Sequence, residues 1–240
     1  MQHFDYLRAA SCAEAVQMLA DPGRVCRPLA GGTDLLVLRH KGEVSWDRLV
    51  DISRIPELAG ISETSEGIVI GATTTHTQVW ESPLVREYLP ALARACHSVG
   101  SPQIRNRGTL GGNVANAAAC ADSMPALVCL GAVARLATPA GSAELPVGDV
   151  VKRPGQNTLP AGALIREFYI PKPPAGARMA HIKLGRRQAQ AIARLSVACL
   201  GRLDAAGRVA EVRIVPGACT PQTQRFAVSY THLRAHETPE

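Results

Sequence analysis

The sequence is organised around residues 100–117, GSPQIRNRGTLGGNVANA, in which the pair Gly111 and Gly112 follows Thr109 closely. Adjacent glycines let the backbone turn sharply and let a ligand lie against the main-chain amides. A similar stretch, AGGTDLLVL at 30–38, lies upstream, between a short apolar run and a helix-like run. One such stretch is typical of a tight turn, but two of them together predict a site for one bound diphosphate.

Each glycine pair is accompanied by a hydroxyl and by a carboxylate or an amide. Thr33 and Asp34 follow the first pair, and Thr109 and Asn113 flank the second. Asp34 stands where a helix is predicted to begin, so it is either a helix N-cap or a cofactor contact, and the two roles are compatible. Both stretches lack the lysine of a P-loop, which disfavours a nucleoside triphosphatase.

The motifs AGGTDLL, GSPQIRNRGTLGGN, NAAACAD and KLGRR resemble the FAD-binding (medium) subunit of the molybdenum hydroxylases. This is the xanthine dehydrogenase family, which includes carbon monoxide dehydrogenase and 4-hydroxybenzoyl-CoA reductase. The resemblance covers residues 4–226 and is strongest to the flavin subunits of bacterial xanthine dehydrogenases. It implies an FAD-dependent oxidoreductase subunit that takes electrons from the [2Fe-2S] clusters of a small partner subunit and passes them to NAD or another acceptor. The molybdenum cofactor would lie in a large partner subunit.

The resemblance also implies which residues contact a noncovalently bound FAD. We expect the amides of both glycine pairs to face the diphosphate, Asp122 to contact the ribose, and Lys183 to reach the flavin side. A branched side chain at Gly111 is then expected to displace FAD while leaving the fold mostly intact. No catalytic side chain and no metal ligand is expected, because the flavin ring carries the chemistry. The full expected set is Leu29, Ala30, Gly31, Gly32, Thr33, Asp34, Thr109, Gly111, Gly112, Asn113, Asp122, Leu164 (or its neighbour Ile165) and Lys183.

Several of these positions have simpler explanations. Asp122 precedes a predicted helix and could act only as its cap, and a lysine on a strand, such as Lys183, is usually exposed to solvent. Arg105 and Arg107 could pair either with the diphosphate or with acidic neighbours that hold the loop. One position departs from the family, since relatives commonly carry aspartate where this chain has Ala191.

Composition excludes several other classes. Of 240 residues, 46% are hydrophobic and 19% charged, and 17 prolines with 21 glycines favour a loop-rich α+β protein. The net charge of +6 is dispersed and aromatic residues make up only 4%, so nucleic-acid binding is disfavoured and an acidic partner is favoured. Seven scattered cysteines without a C-x-x-C pair indicate no disulfide framework, iron–sulfur or zinc site. No signal peptide or membrane span is recognised, which predicts a cytoplasmic protein.

The expected organisation is an α+β fold containing a two-lobed FAD-binding domain of the vanillyl-alcohol-oxidase/PCMH type. Lobe 1 covers residues 1–55 and lobe 2 covers 56–174. A small, truncated α+β C-terminal domain covers 175–227, and residues 228–240 are expected to be a non-native tail. Within lobe 2, the apolar periodicity predicts one helix over residues 84–96.

Three rival functions remain at this point. A self-contained flavin oxidase of the vanillyl-alcohol type would share the fold but would need a substrate-binding domain after the prolines at 171–174. A nucleotide-binding module without flavin would purify colourless. A scaffold without enzymatic activity would use the glycine stretches only as turns.

Overall fold

The computed structural model describes residues 3–187 and 189–225, which form mixed helices and sheets. The expected tail, 228–240, lies outside the described residues. Within these residues, no helix is long and apolar enough to cross a membrane. The strands are β1 (Asp5–Arg8), β2 (Cys26–Leu29), β3 (Arg48–Asp51), β4 (Ile61–Glu63), β5 (Gly67–Gly71), β6 (Val133–Thr138), β7 (Gly141–Pro146), β8 (Val151–Arg153), β9 (Gln156–Asn157), β10 (Leu164–Pro171), β11 (Arg178–Gly185), β12 (Ala193–Leu203) and β13 (Val209–Gly217). The helices are α1 (Cys12–Leu19), α2 (Leu35–His40), α3 (His76–Glu81), α4 (Pro83–Tyr88), α5 (Pro90–His97), α6 (Pro102–Arg105), α7 (Leu110–Ala115), α8 (Ser123–Leu130) and α9 (Val147–Val150), with a 3-10 turn at Pro56–Leu58.

The first sheet is small and parallel. Strands β1 and β2 both pair with β3, which gives the order β1-β3-β2. Helix α1 is capped by Ser11, whose Oγ accepts a hydrogen bond from the amide of Glu14. The carboxylate of Glu14 accepts in turn from the amide of Ala10. The buried face of α1 packs over this sheet and forms a separate small core.

The second sheet is antiparallel and carries the largest core. Its order is β4-β5-β10-β6-β7, so β10 connects the hairpin β4-β5 with the hairpin β6-β7. Phe168 and Ile170 on β10 and Leu127 on α8 are fully buried in one core cluster. Large side chains buried in this way are the main stabilising contribution to such a layer.

The third sheet is an antiparallel meander, β11-β12-β13. Ala198, Leu200 and Val215 face inward and join the main core, where β12 and β13 pack on α8 and β11 packs on α5. The residues between them on the same strands are more exposed, because successive side chains of a strand point to opposite faces of the sheet. This packing brings Lys183 on β11 close to the start of α8.

Two predictions about local structure were wrong. The single helix expected over 84–96 is two helices, α4 and α5, because Pro90 has no amide hydrogen and forces Leu89 out of the helical conformation (φ −130°, ψ 48°). The second glycine pair is not in a loop. Gly111 and Gly112 lie inside α7, whose N-cap is Thr109.

Candidate functional site

The two glycine stretches meet in space. A Cβ atom added to Gly31 would lie 1.9 Å from the carbonyl oxygen of Arg107 and 3.0 Å from the Cα of Gly108. No side chain fits there, so only glycine lets the two backbones approach so closely. Gly32 adopts a left-handed conformation (φ 73°), which turns the chain from β2 into α2. The convergence predicted from the two motifs is therefore present.

The first stretch leaves its backbone donors open. The amides of residues 31–34 donate to no protein group within the described part of the chain. Leu29 and Ala30 end β2 and deliver the chain into this bend, with the Leu29 side chain under Gly32. A run of unpaired amides at a bend before a helix is suited to an anionic group.

The second stretch uses its amides internally. The amide of Gly111 donates to the carbonyl of Ala72 (2.8 Å), and that of Gly112 donates to Oγ1 of Thr109 (3.0 Å). The amide of Asn113 donates to the Thr109 carbonyl (3.0 Å), as in any first helical turn. The amides of Gly111 and Gly112 are thus occupied by protein acceptors in this structure, and the expectation that they face a diphosphate stays a prediction.

Gly111 is required by packing. A Cβ on it would lie 2.6 Å from the Cβ of Ala72 and 2.7 Å from the Ala72 carbonyl oxygen. A branched side chain would therefore disturb the fold itself, contrary to the expectation that Gly111 could be enlarged with the fold intact.

A cavity of about 340 Å³ lies beside this junction. Asp34 contributes from the first stretch, Asn113 and Asn116 from α7 and its end, and Asp122 from the start of α8. Asp34 makes no N-cap hydrogen bond, and its Oδ2 accepts instead from Nδ2 of Asn116 at 3.1 Å. Oδ1 of Asn113 accepts from the Ser123 hydroxyl at 2.6 Å. Four polar side chains thus surround one cavity and are already oriented by protein contacts.

Asp122 and Lys183 form a buried ion pair at this cavity. Nζ of Lys183 lies 2.6 Å from Oδ2 of Asp122 and donates to the carbonyl of Ser98 at 2.9 Å. The side chain of Lys183 is 12% exposed and that of Asp122 is 7% exposed. Burial raises the pKa of Asp122, although the hydrogen bond and charge of Lys183 lower it.

Both simpler explanations fail for this pair. Asp122 makes no side-chain cap hydrogen bond to α8, and Lys183 is not a solvent-facing lysine. Oδ1 of Asp122 is buried and has no hydrogen-bond partner. Because unpaired buried carboxylate oxygens are costly, this atom is a site for a donor such as a ribose hydroxyl.

Leu164 does not line the cavity. It is 3% exposed and packs in the small core between α1 and β3, whereas its neighbour Ile165 packs in the main core. Leu164 and Ile165 are neighbours on strand β10, so their side chains point to opposite faces of the sheet. The expectation that one of these residues contacts the flavin is not supported by this arrangement.

Two parts of the cavity wall contain none of the expected contact residues. One is the turn 99–101 between α5 and α6, where Gly100 has φ 45°. The other is the segment 190–192, which includes Ala191, the position that departs from the family. The Gly-Ser-Pro sequence at 100–102 is a recognisable turn signal, whereas only the resemblance to the family drew attention to Ala191.

These features fit an FAD molecule. Open amides at 31–34 suit a diphosphate, the unpartnered oxygen of Asp122 suits a sugar hydroxyl, and the cavity between them suits a flat ring. The contact of Gly31 with the Arg107 backbone holds these parts together.

Comparison with known proteins gives the same result. The family model "FAD binding domain in molybdopterin dehydrogenase" matches residues 2–173. The xanthine dehydrogenase FAD-binding subunit of Escherichia coli O157:H7 is 35% identical over 218 residues, 90% of this chain and 74% of that protein. The carbon monoxide dehydrogenase medium chain of Afipia carboxidovorans is 37% identical over 185 residues, 77% of this chain and 64% of that protein.

A solved structure of carbon monoxide dehydrogenase from Hydrogenophaga pseudoflava superposes with a TM-score of 0.91 at 31% identity, covering 96% of this chain and 79% of that chain. The chain therefore belongs to the family of FAD-binding domains of molybdopterin dehydrogenases. Within that family it is an FAD-binding oxidoreductase subunit of the xanthine dehydrogenase-like molybdenum hydroxylases, and its cofactor is FAD.

Proposed function

We propose that FAD binds noncovalently in the cavity between the two glycine stretches. The amides of residues 31–34 hold the diphosphate, with Thr33 adding a hydroxyl. Asp122, oriented by Lys183, accepts from the ribose. Asn113 and Thr109 support the site from α7. Two observations carry this proposal: the amides of residues 31–34 donate to no protein group in the described part of the chain, and Asp34 lines the same cavity as Asp122, whose Oδ1 has no partner there.

The chain then acts as the electron-transfer subunit of a larger enzyme. In this proposal the [2Fe-2S] clusters of a small partner subunit deliver electrons, and NAD or another acceptor removes them. The organic substrate is hydroxylated at a molybdenum cofactor in a large subunit. FAD supplies the redox chemistry, and this chain binds and orients it. The net charge of +6 is consistent with docking to acidic partners.

The similarity to carbon monoxide dehydrogenase medium chains supports a second candidate within the same class. The flavin subunit of a carbon monoxide dehydrogenase would use the same site and differ only in its large subunit. Co-purification of this chain with its neighbours, followed by assay with xanthine and with carbon monoxide, distinguishes the two.

We also propose a two-lobed FAD domain of the PCMH type, with lobes at 1–55 and 56–174 and a third domain at 175–227. Each unit has its own sheet, and most of the small core comes from the first unit, with Leu58 and Leu164 of the second joining it. A cytoplasmic location is supported by seven free cysteines, since that compartment keeps thiols reduced.

The direct test is to purify the 240-residue chain and to measure its flavin. We expect a yellow protein that releases one FAD per chain on heat denaturation, identified by chromatography. Asp122→Ala should lower the FAD content, whereas Asp149→Ala, at an exposed position of α9 that does not line the cavity, should not. A colourless protein that cannot be reconstituted with FAD would refute the proposal.

A further inference from the structure

Arg105 contacts backbone carbonyls and no carboxylate. It lies in the last turn of α6, half-buried, and its Nη1 donates to the carbonyl of Val99 at 3.0 Å. The same nitrogen is 3.5 Å from the carbonyl of Gly100. Across residues 3–187 and 189–225, no carboxylate forms an ion pair with it. Its positive charge is therefore not neutralised by a neighbouring side chain.

The two carbonyls that Arg105 contacts belong to the cavity wall. Val99 and Gly100 line the cavity together with Ser101 and Ile104. Gly100 is left-handed, and the side chain of Ile104 lies 3.0 Å from where its Cβ would be. The two contacts from Nη1 of Arg105 hold these carbonyls from the side of α6 and so limit the shapes that the turn can adopt.

The charge of Arg105 also reaches two histidines on different helices. Burial, followed by Arg105, lowers the pKa of His76 to about 4. His97 shows the same direction, with burial first and Arg105 next, ahead of Arg94 and Arg86. A guanidinium is always protonated, so this positive field is constant across the working pH range.

We propose that Arg105 is a positioning residue for FAD, which both fixes the 99–101 wall and places a positive charge without a carboxylate partner directly behind that wall. The inference rests on the proposed position of FAD in this cavity. A flavin that takes up two electrons and one proton gains one negative charge. A fixed cation nearby therefore stabilises the reduced cofactor and raises its midpoint potential.

Two substitutions separate the two parts of this role. Arg105→Gln removes the charge and most of the carbonyl contacts. Arg105→Lys keeps the charge but cannot span both carbonyls with a planar fork. Arg86→Gln is the matched control, because Arg86 also lowers the pKa of His97 but contacts the carbonyl of Trp80 rather than the cavity wall.

The measurements are the FAD dissociation constant of the apoprotein, the FAD midpoint potential against a reference dye with dithionite as reductant, and the melting temperature without FAD. For Arg105→Gln we expect about tenfold weaker FAD binding, from the loss of charge-assisted hydrogen bonds, and a lower potential. Arg105→Lys should bind FAD more weakly but keep the potential. Arg86→Gln should leave both unchanged. The pKa of His97, followed by NMR, should rise in both glutamine variants and so confirm that each charge was removed.

Each contrary result has a distinct meaning. A lower melting temperature with wild-type FAD affinity and potential in both Arg105 variants would make Arg105 a purely structural contact and overturn the inference. Equal potentials in the glutamine and lysine variants would overturn its electrostatic part. A wild-type chain that binds no FAD would instead refute the proposed function, before any variant is compared.

Discussion

The two glycine stretches look alike in sequence and differ in structure. The first, 30–34, leaves the amides of residues 31–34 without protein partners in the described part of the chain and contributes Asp34 to the cavity wall. The second, 109–113, is the first turn of α7 and donates its amides to Ala72 and to Thr109. The amides of the first stretch are therefore available to a ligand, whereas those of the second already have protein acceptors.

This difference shows that a glycine pair has two separate physical uses. In the first stretch, glycine gives a left-handed turn at Gly32 and a close backbone approach at Gly31. In the second, Gly111 gives room for the backbone of Ala72. A substitution in either stretch should reduce FAD content, but only measurements of apoprotein stability can reveal the reason. The predictions below use that distinction.

The largest effect is expected for Gly31→Ala. The new Cβ would lie 1.9 Å from a backbone oxygen, and no side chain can move to relieve the clash. We expect a loss of more than about 3 kcal/mol in the free energy of unfolding and no retained FAD. Urea denaturation and flavin content measure both.

Gly201→Ala is the control for this substitution. Gly201 lies inside β12, and the nearest atom to its added Cβ is 4.0 Å away. It should keep or slightly raise the stability, since alanine reduces the entropy of the unfolded chain. Wild-type stability and FAD content in Gly31→Ala would show that the two stretches do not meet at Gly31.

The second prediction concerns His76, which packs beside the second stretch, and the pH dependence of stability that its burial causes. His76 is 1% exposed, its ring packs on Gly108, and its Nδ1 has no hydrogen-bond partner. Its pKa falls from 6.5 to about 4, mainly through burial and then through Arg105. Between these values the unfolded chain binds a proton that the folded chain does not. Stability is therefore complete above pH 6.5 and decreases by about 3 kcal/mol as the pH falls to 4.

His76→Gln should remove this contribution. His181, whose pKa is also lowered to about 4, and Asp122, whose raised pKa acts in the opposite direction, are present in both proteins. The difference between wild type and variant therefore isolates His76, even if the variant is less stable at every pH. Urea unfolding at pH 7, 6, 5 and 4 gives both curves, and parallel curves would contradict the prediction.

The third effect is expected for Gly111→Ala. Its Cβ would meet the Cβ and carbonyl of Ala72 at 2.6 and 2.7 Å, so the segment 72–74 must shift. We expect a cost of about 2 kcal/mol in unfolding free energy. Because the amide of Gly111 already donates to the carbonyl of Ala72, the folded fraction should still bind FAD with affinity close to wild type. If fully folded Gly111→Ala protein bound FAD much more weakly than wild type, Gly111 would again be assigned a contact with the ligand.

Much of the fold follows from local sequence signals. Ser11 and Thr75 are typical N-cap residues and begin helices, and the hairpins β4-β5, β6-β7 and β12-β13 lie where turn residues separate apolar runs. The helix break at Pro90 has an equally local signal, because proline removes an amide donor, but the apolar periodicity concealed it. These features depend on residues close together in the chain, which is why the sequence carries signals for them.

The parts that sequence could not supply depend on contacts between distant residues. Thr109 is a good N-cap, but the glycines after it hide the helix, because glycine has no helical preference. The pairing of Lys183 with Asp122 and the placement of Leu164 in the small core follow from how β11 and β10 pack. The resemblance to a family indicated Lys183, but the buried carbonyl of Ser98 that holds it needed the structure.

The smallest effect on stability is expected at Asp34, where a side-chain hydrogen bond joins the first stretch to the end of α7. Oδ2 of Asp34 accepts from Nδ2 of Asn116 at 3.1 Å, and Asp34 is exposed. Exposed contacts of this kind contribute little, so Asp34→Ala should change the unfolding free energy by less than about 0.5 kcal/mol. Both residues nevertheless line the cavity, so FAD binding should weaken several-fold.

A double-mutant cycle tests whether this bond is what joins the two stretches for the ligand. If Asp34 acts by orienting Asn116, then Asn116→Ala should weaken FAD binding by the same factor, and the double variant should be no worse than either single one. Asp34→Asn keeps an acceptor oxygen and should bind FAD nearly as well as wild type. Additive losses would instead mean that each residue contacts FAD separately. In that case α7 would contact the ligand directly, in addition to holding the first stretch, and the contrast between the two stretches would be one of degree.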